Sequence, residues 1–400
     1  MKIRSIIKNT IYGGSHLIGL TAAKRWALKH RLLVLAYHGV VPDEYAVDYY
    51  HPLYIGMSEF CQHLELLCRY FRPVSPSDVL DWVIKGRPLP ERSVLVTFDD
   101  GYRNNLIYAA PELERYGVAA QIAVATGHIG ADLLLWTTQL REQILHWTPA
   151  SLPMPNGMRD VPMPKLGSAR FTLAEYVVAL CKRLDGDQRQ SYLELLRNEW
   201  TPELEIRQRQ MFDFLSWDEV RLLYRRGFTI GAHTVNHPIL TTLSAERVDQ
   251  ELRGSKAAIE RELNAPCVWL TYPNGGLEDV NPRIVHQARA AGFEIGLTLA
   301  GSLNGAAPCP LYFDRMTISE KDHLYVFEVY TSGIVNNFHM QRAVRPSGGM
   351  TCSQCPGREK CRFFRENSGS PDRRLVTRFF ELSHSRTDAP MKVAKGKARK

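Results

Sequence analysis

The stretch VLVTFDDGYRNN, residues 94–105, places two carboxylates side by side at the end of an apolar run. Asp99 and Asp100 follow Val-Leu-Val-Thr-Phe and precede Gly101. Adjacent carboxylates repel each other, and the apolar strand before them offers no group that would stabilise their charges. The pair therefore predicts a positive partner, and a bound divalent cation would stabilise both charges.

Short apolar runs alternate with helical patterns along most of the chain. This alternation is typical of an α/β fold with a parallel sheet, and we expect the sheet to be closed, or nearly closed, as a barrel. Residues 140–215 interrupt it with a proline-rich loop and helical patterns, which indicates a helical insertion. The predicted strands are residues 32–37, 94–98, 121–125, 228–232, 268–272, 294–298 and 313–317, and the main predicted helices are residues 59–71, 110–117, 216–227 and 244–263.

A second polar motif, FTIGAHTVNHPIL, follows another predicted strand and contains His233 and His237. If a helical turn follows the strand, the spacing of four residues points both imidazoles the same way. The C-terminal ends of barrel strands meet on one face, so Asp100, His233 and His237 would form a three-ligand zinc site with one open position. The alternative is that both motifs only cap helices, but two such motifs at strand ends together favour the metal site.

The composition is typical of a globular enzyme, with 400 residues, 44% hydrophobic and 23% charged. The net charge of +8 is concentrated at the ends, because residues 1–42 contain seven lysines and arginines and no acid, and the last ten residues carry five more. This distribution argues against a nucleic-acid-binding face in the core. The basic ends would either be solvated tails or contact an anionic membrane surface.

The N-terminal residues have a basic start, but Gly13, Gly14 and His16 interrupt any apolar signal core. The positions of Ile3, Ile7 and Ile11 predict a short amphipathic helix rather than a cleaved signal peptide. No apolar run is long enough to span a membrane. We therefore expect a cytoplasmic location or one peripheral to the inner membrane.

Three motifs together resemble a known family. TFDDGY (97–102), HTVNH (233–237) and YPNG (272–275) are similar to motifs of the polysaccharide deacetylases of the NodB-homology group, the family-four carbohydrate esterases. LAYHGVVPDE (35–44) resembles the branch that acts on bacterial exopolysaccharide and biofilm poly-N-acetylglucosamine. The resemblance covers residues 32–318 and implies a distorted (β/α)7 barrel. It also implies removal of N-acetyl groups from a polysaccharide or glycan intermediate, with Zn²⁺ or another divalent metal.

The resemblance also implies a role for each residue of these motifs. It makes Asp99 the catalytic base and Asp100, His233 and His237 the metal ligands. The backbone N–H of Tyr272 would stabilise the oxyanion. His38, at the end of the first predicted strand, matches the general acid of the biofilm deacetylases, and its alternative role is a structural bond to a loop carbonyl.

The third motif departs from the family pattern. Asn274 replaces an aromatic residue, and the arginine that usually orients the base is missing upstream. Arg315, in FDRMTIS, could substitute for that arginine or form a salt bridge at the rim of the barrel. The chain could therefore also be a non-catalytic carbohydrate-binding member of the fold, or an esterase that removes O-acetyl groups.

The remaining candidates have weaker patterns. Trp136 could stack on a sugar ring or pack in the core, and His51, His63 and His128 are predicted to be surface or loop residues. The C-terminal cysteines could hold a structural metal, with Cys309 or His339 as fourth ligand, or could be reduced thiols. These cysteines are Cys352, Cys355 and Cys361.

The predicted organisation has four parts. A basic amphipathic segment (1–31) precedes the deacetylase barrel (32–325), whose helical insertion is residues 140–215. A C-terminal extension with the cysteine cluster (326–375) and a basic, disordered tail (376–400) follow.

Overall fold

Seven parallel strands form a curled sheet that holds the main apolar core. The computed structural model describes residues 19–48, 51–199, 204, 206–301, 303–305, 309–319 and 324–333. The sheet has the spatial order β6-β5-β4-β3-β2-β1-β7, and every neighbouring pair is parallel. The strands are β1 (Leu33–Tyr37), β2 (Ser93–Phe98), β3 (Ala120–Val124), β4 (Thr229–Ala232), β5 (Trp269–Thr271), β6 (Ile295–Leu297) and β7 (Met316–Thr317).

The sheet returns on itself just before β7. Leu297 of β6 forms a parallel bridge with Phe313. The Phe313 N–H donates to the Gly296 carbonyl at 2.7 Å, and the Thr298 N–H donates to the Phe313 carbonyl at 2.8 Å. The segment 313–317 therefore contacts β6 at one end and pairs with β1 at the other, and the seven predicted strands form the distorted barrel expected from the sequence.

Helices cover the outside of the sheet, and their ends follow the sequence signals. All six residues of β2 are buried, as expected for a parallel strand covered on both faces. Gly227 and Gly292 follow two helices with left-handed φ values of 93° and 83°. The helices are α1 (Leu20–Ala27), α2 (Asp43–Asp48), α3 (Met57–Tyr70), α4 (Pro76–Lys85), α5 (Ala110–Tyr116), α6 (Trp136–Leu145), α7 (Gly167–Cys181), α8 (Gly186–Glu199), α9 (Ile206–Met211), α10 (Trp217–Arg225), α11 (Ala245–Leu263), α12 (Pro282–Ala290) and α13 (Leu324–Thr331).

Short elements complete the described chain. A π-helix (Asn105–Ala109) follows the acidic motif directly, and 3-10 turns occupy Pro155–Gly157 and Leu240–Thr242. Gly39–Val41 pairs with Tyr54–Gly56, Arg72–Pro73 pairs with β2, and Ser151–Leu152 pairs with Val161–Pro162.

The helices α6, α7 and α8 of the insertion enclose a second apolar core. It contains Leu140, Trp147, Val177 and Leu196, among others. Trp136 packs against this core, and the Arg189 guanidinium lies 5.0 Å from its ring. Trp136 therefore has the packing role, which was one of the two roles predicted for it.

The two ends of the described chain are joined by buried contacts. The Arg25 guanidinium of α1 binds the Glu328 carboxylate of α13 at 3.0 Å, and both side chains are buried. Phe327 belongs to the main core and stacks on the His63 ring at 3.7 Å. The helix α13 thus spans the predicted boundary at residue 325.

The prediction of a surface or loop position was wrong for His63. His63 is buried on α3, with the ring Nδ1 3.3 Å from the Tyr37 hydroxyl. It lies three residues after Phe60 and four before Leu67, so it shares the apolar face of that helix. His51 and His128 lie in loops, but both are buried.

Several predictions concern residues outside the described ranges. They include the N-terminal helix with Ile3, Ile7 and Ile11, the cysteines 352, 355 and 361, and the tail 376–400. The proposed membrane contact of the basic ends therefore stays a prediction. Among the described helices, none combines the length and apolar character needed to span a membrane.

Candidate active site

A left-handed turn at the end of β2 separates the two adjacent carboxylates. The Asp99 N–H donates to the Tyr37 carbonyl at 2.9 Å, which continues the pairing of β1 with β2. Asp100 and Gly101 then adopt φ values of 74° and 82°. A Cβ at Gly101 would lie 3.0 Å from Val124, so this turn requires glycine for both its backbone and its packing. The two carboxylates consequently reach different partners.

The partner of Asp99 is Arg315. Two parallel bonds join the guanidinium to the carboxylate, at 2.7 Å to Oδ1 and 2.8 Å to Oδ2. Arg315 also donates to the Thr97 hydroxyl at 2.9 Å and to the Thr298 carbonyl at 3.1 Å. Its side chain is 0% exposed, so the ion pair lies in the barrel interior rather than at the rim.

Arg315 determines the charge state of Asp99. Burial by itself would raise the pKa of Asp99, but the charge of Arg315 and its hydrogen bonds outweigh burial and hold the pKa below its usual range. Asp99 is therefore a carboxylate at neutral pH. Its geometry is fixed by a residue more than two hundred positions away in the sequence.

Asp100, His233 and His237 bring three ligand atoms together. The Asp100 Oδ1 lies 3.4 Å from the His233 Nε2 and 3.3 Å from the His237 Nε2, and the two imidazole nitrogens are 3.1 Å apart. Tetrahedral coordination with bonds of about 2.0–2.1 Å separates ligand atoms by roughly 3.3 Å. The triangle therefore has the size of one face of a zinc tetrahedron, which leaves the fourth position open.

The histidines are oriented by their surroundings. The His233 Nδ1 lies 2.8 Å from the Thr271 carbonyl, which can only accept, so Nδ1 carries a proton and Nε2 is the ring nitrogen that faces Asp100. His237 is held differently, because its backbone N–H donates to the Thr234 hydroxyl at 3.1 Å. Thr234 and His237 have φ values of 64° and 54°. No helical turn follows the strand, and a loop with left-handed residues brings the rings together instead.

The cluster favours a bound cation electrostatically. Burial and the neighbouring His233 lower the pKa of His237 to about 3, so its ring is neutral. Burial would raise the pKa of Asp100, but the imidazoles around it, His233 first among them, outweigh burial and hold the pKa well below the usual range, and the same carboxylate raises the pKa of His233. A carboxylate beside a neutral imidazole matches the protonation state that metal ligands require. Asp100 Oδ1 is also buried without a hydrogen-bond partner among the described residues.

His38 lies at the end of β1, beside Asp99. Its Nε2 is 3.9 Å from the Asp99 Oδ2, and its own carbonyl accepts a bond from the Asn105 side chain at 2.6 Å. Within the described part of the chain, its Nδ1 has no hydrogen-bond partner, so the alternative of a bond to a loop carbonyl finds no support. Burial lowers the pKa of His38, although the charges of Asp100 and Asp99 oppose this.

Tyr272 does not have a free backbone N–H. This group donates to the Leu297 carbonyl at 3.0 Å, because the pairing of β5 with β6 continues one residue beyond Thr271. Its hydroxyl donates to the Leu311 carbonyl at 2.9 Å. The predicted oxyanion role of Tyr272 is therefore wrong in this geometry.

Asn274, two residues later, has a different backbone. Its φ is 61°, and the Gly275 N–H donates back to the Pro273 carbonyl at 2.7 Å, which makes a tight turn centred on Asn274. The Asn274 N–H has no acceptor among the described residues. The Asn274 side chain accepts a bond from Lys182 and donates to Asp279. The insertion thus contacts the third motif directly.

The insertion also supplies residues that no motif indicated. Arg141 of α6 is buried, with one guanidinium nitrogen 3.3 Å from the His51 Nε2 and another 2.6 Å from the Glu175 carboxylate. The rings of Tyr54 and Tyr102 meet edge to face at 5.4 Å next to this pair. Arg141 and Lys182 come to the site only through docking of the insertion, so neither has a local sequence signal.

Comparison with known proteins assigns the family. The family model described as polysaccharide deacetylase matches residues 86–296. This match covers more than half of the chain, so the protein belongs to the polysaccharide deacetylase family. The putative polysaccharide deacetylase YxkH of Bacillus subtilis (strain 168) is 28% identical over 117 residues, which are 29% of this chain and 39% of that protein.

Solved structures show further similarities. The Streptococcus pyogenes deacetylase PplD, solved in complex with acetate, is 17% identical with a TM-score of 0.48, covering 74% of this chain and 96% of that one. A de-N-acetylase from Aggregatibacter actinomycetemcomitans is 20% identical with a TM-score of 0.49, covering 75% and 99%. IcaB from Ammonifex degensii is 18% identical with a TM-score of 0.49, covering 76% and 97%.

The candidate metal site can be tested by measuring zinc binding. We expect one Zn²⁺ per chain in the wild type, and His237→Ala should weaken binding by more than the 10–100-fold typical of losing an outer-shell partner, because a ligand atom is removed. Titration with a chromophoric chelator measures both affinities. His286→Ala, at an exposed position of α12, is the matched control. Equal affinity of His237→Ala and wild type would contradict the ligand assignment.

Proposed function

We propose that the protein is a metal-dependent hydrolase that removes N-acetyl groups from a polysaccharide or glycan intermediate. One observation carries the proposal: a triangle of three metal-ligand atoms adjoins a buried carboxylate that an arginine keeps ionised. Asp100, His233 and His237 supply the triangle, and Asp99 is the carboxylate. Membership of the polysaccharide deacetylase family supports the same chemistry.

The residues fit a divalent cation, and zinc is the metal that we propose. The donor set of one carboxylate and two imidazoles, with spacings of 3.1–3.4 Å, matches a catalytic zinc site. When bound, such an ion would polarise the acetyl carbonyl and make water easier to deprotonate.

Asp99 is the proposed general base. Its carboxylate accepts a proton from the water whose oxygen attacks the acetyl carbon. Arg315 occupies one lone pair on each carboxylate oxygen and leaves the others available, since each oxygen has two. The base is thereby held in one orientation throughout the reaction.

His38 is the proposed general acid. Because burial lowers its pKa, the ring is neutral at rest and must first accept a proton. After Asp99 has taken the proton from water, its Oδ2 lies 3.9 Å from the His38 Nε2 and can pass that proton to His38. His38 then protonates the sugar nitrogen as the C–N bond breaks. The products are a free amine on the sugar and acetate.

We assign the oxyanion contact to the Asn274 backbone N–H in place of Tyr272. Its lack of an acceptor among the described residues, and the tight turn on which it lies, support this assignment. The side-chain bonds to Lys182 and Asp279 would hold that turn in place.

The role of Lys182 can be measured separately. Lys182→Met should lower kcat by about tenfold with little change in KM, since a misplaced oxyanion donor weakens transition-state rather than ground-state binding. Lys182→Arg should recover part of the loss. Arg183→Met, at the exposed neighbouring position, is the control. If Lys182→Met kept the wild-type kcat, Lys182 would have only a packing role.

A comparison of two substrates distinguishes hydrolysis of N-acetyl groups from hydrolysis of O-acetyl groups. The zinc-loaded protein should generate free amines from N-acetylglucosamine oligomers and leave O-acetylated xylan unchanged. Acetate release from the xylan alone would instead make the protein an O-acetyl esterase. Binding of oligomers without release of acetate would favour a non-catalytic member of the fold.

A further inference from the structure

The helix α1 has the reverse polarity of an ordinary surface helix. Its polar residues Thr21 and Arg25 are buried, and both donate to the Glu328 carboxylate of α13, at 3.3 Å and 3.0 Å. The exposed residues of the same helix are all apolar: Leu20, Ala22, Ala23, Trp26 and Ala27. A surface helix normally directs its apolar stripe to the core and its polar residues to solvent. The outer face of α1 is therefore an apolar surface that the described residues leave exposed.

Trp26 is the largest side chain on this outer face. It is 71% exposed, and the Lys29 ammonium lies 5.5 Å from its ring. An indole has an apolar body and a polar N–H, so it is most stable where one end is apolar and the other is hydrated. Tryptophan is accordingly enriched at membrane–water interfaces. The exposed ring thus indicates a partner with an apolar layer beneath a polar one.

Basic side chains surround the outer face of α1. Lys24 lies on the helix itself, and Arg31 is exposed in the segment that leads to β1. Arg92 is also exposed and is held beside this segment, because its backbone N–H donates to the Lys29 carbonyl. Within the described part of the chain, Lys24, Arg31 and Arg92 form no ion pair, whereas Glu91 is already paired with Lys29 at 2.9 Å. The uncompensated charge beside the apolar face is therefore positive.

The sequence before α1 continues the same combination of apolar and basic residues. Residues 1–18 contain no acid. Their basic residues are Lys2, Arg4 and Lys8, and their aliphatic residues are Ile3, Ile6, Ile7, Ile11, Leu17 and Ile18. Apolar residues interspersed with lysine and arginine are typical of segments that bind the surface of an anionic bilayer. This composition is continuous with the outer face of α1.

We propose that the outer face of α1 docks on an anionic lipid bilayer, with the Trp26 ring among the headgroups and Lys24 and Arg31 against the lipid anions. Charge favours this occupant over two others. A second copy of the chain, or residues 1–18 folded back on α1, would bring further positive charge to a face that is already positive. An anionic bilayer supplies both an apolar layer and the opposite charge.

The docking face and the candidate active site lie at opposite ends of the sheet. Residues 28–32 lead from α1 into the N-terminal end of β1, whereas His38 and Asp99 follow the C-terminal ends of β1 and β2. A protein docked through α1 would therefore keep the candidate active site away from the lipid, where a polysaccharide has access.

Vesicle binding by the full-length protein tests the docking face. The wild type should co-sediment with phosphatidylcholine vesicles that contain phosphatidylglycerol, and much less with phosphatidylcholine alone. Trp26→Ala should weaken binding to the anionic vesicles by about tenfold, because apolar area that would be buried in the bilayer is lost. Tyr176→Ala, at a 50% exposed position of α7 in the insertion, is the control and should bind like the wild type.

A pair of double variants tests the contribution of charge. Lys24→Gln with Arg31→Gln should weaken binding to the anionic vesicles by about 25-fold, since each basic residue near such a surface contributes roughly a factor of five. Arg159→Gln with Lys165→Gln, at exposed positions of the insertion, is the control. An equal loss in both double variants would show that net charge alone attracts the protein, and would overturn the docking face.

Lipids with brominated acyl chains report whether the ring enters the bilayer, because they quench tryptophan fluorescence on contact. Quenching should occur in the wild type and decrease in Trp26→Phe. Equal vesicle binding by Trp26→Ala and wild type, or no binding by the wild type, would overturn the proposal. A dimer in sedimentation velocity that dissociates in Trp26→Ala would assign the face to a second copy of the chain and would also overturn it.

Discussion

Replacing Asp99 by asparagine is expected to lower kcat/KM by about 10²–10⁴-fold, the contribution usual for a general base. Asparagine has nearly the same shape but cannot accept the proton of the attacking water. Zinc stoichiometry should stay at one per chain, because Asp99 is not among the three ligand atoms of the cluster. Initial rates of acetate release on an N-acetylglucosamine oligomer, with zinc measured on the same samples, check both results.

The matched control for this variant is Asp218→Asn. Asp218 is exposed at the start of α10, and its side chain is 92% exposed, so its substitution should leave the rate unchanged. A rate for Asp99→Asn within a few-fold of wild type would remove Asp99 from the role of base. Loss of zinc in Asp99→Asn would instead assign it to metal binding.

Replacing Arg315 by methionine is expected to lower the free energy of unfolding by about 3–5 kcal/mol, since it leaves the Asp99 charge buried without its partner. The side chains of Arg315 and Asp99 are 0% and 2% exposed, which leaves no solvent to compensate. Arg315→Lys should recover less than half of the loss, because an ammonium cannot form both bonds of the guanidinium. Denaturant unfolding of the zinc-free proteins measures these differences.

A second substitution makes the test specific to charge. The double variant Asp99→Leu with Arg315→Met should be more stable than Arg315→Met alone, because it removes the uncompensated carboxylate. A double variant that is less stable than Arg315→Met would show that packing, rather than charge, dominates the effect.

The Arg315 variant should also depend on pH in a defined direction. In the wild type, the folded pKa of Asp99 is lowered, so the pair stabilises the protein above the unfolded value of about 3.9 and loses this contribution as pH falls further. In Arg315→Met, burial would raise the pKa instead. The stability difference between the two proteins should therefore be largest near neutral pH and shrink as Asp99 is protonated.

The fold and the grouping of the candidate metal ligands could be predicted because their signals are local. Continuous apolar runs predict buried parallel strands, and the polar residues that end two of them must meet at one edge of the sheet. Asp100, His233 and His237 are brought together in this way. The spacing of the histidines indicated the same three residues that cluster in the structure, although a loop rather than a helical turn brings them together.

The contacts that depend on tertiary docking had no such signal. The sequence left two roles open for Arg315, orientation of the base and a salt bridge at the rim. Only closure of the barrel through residue 313 brings its side chain to Asp99. Lys182 and Arg141 belong to an insertion whose position on the barrel is not encoded by any short motif. Tyr272 was misassigned because strand pairing extends one residue further than the motif suggests.

We have proposed that this site hydrolyses N-acetyl groups with the help of a metal held by Asp100, His233 and His237. The most direct test is acetate release from an N-acetylglucosamine oligomer by wild-type protein, after chelation and again after addition of one equivalent of Zn²⁺. We expect no release by the chelated protein and restored release with zinc, accompanied by one new free amine per acetate. Release that is equal with and without metal, or no release by protein that binds one zinc tightly, would contradict it.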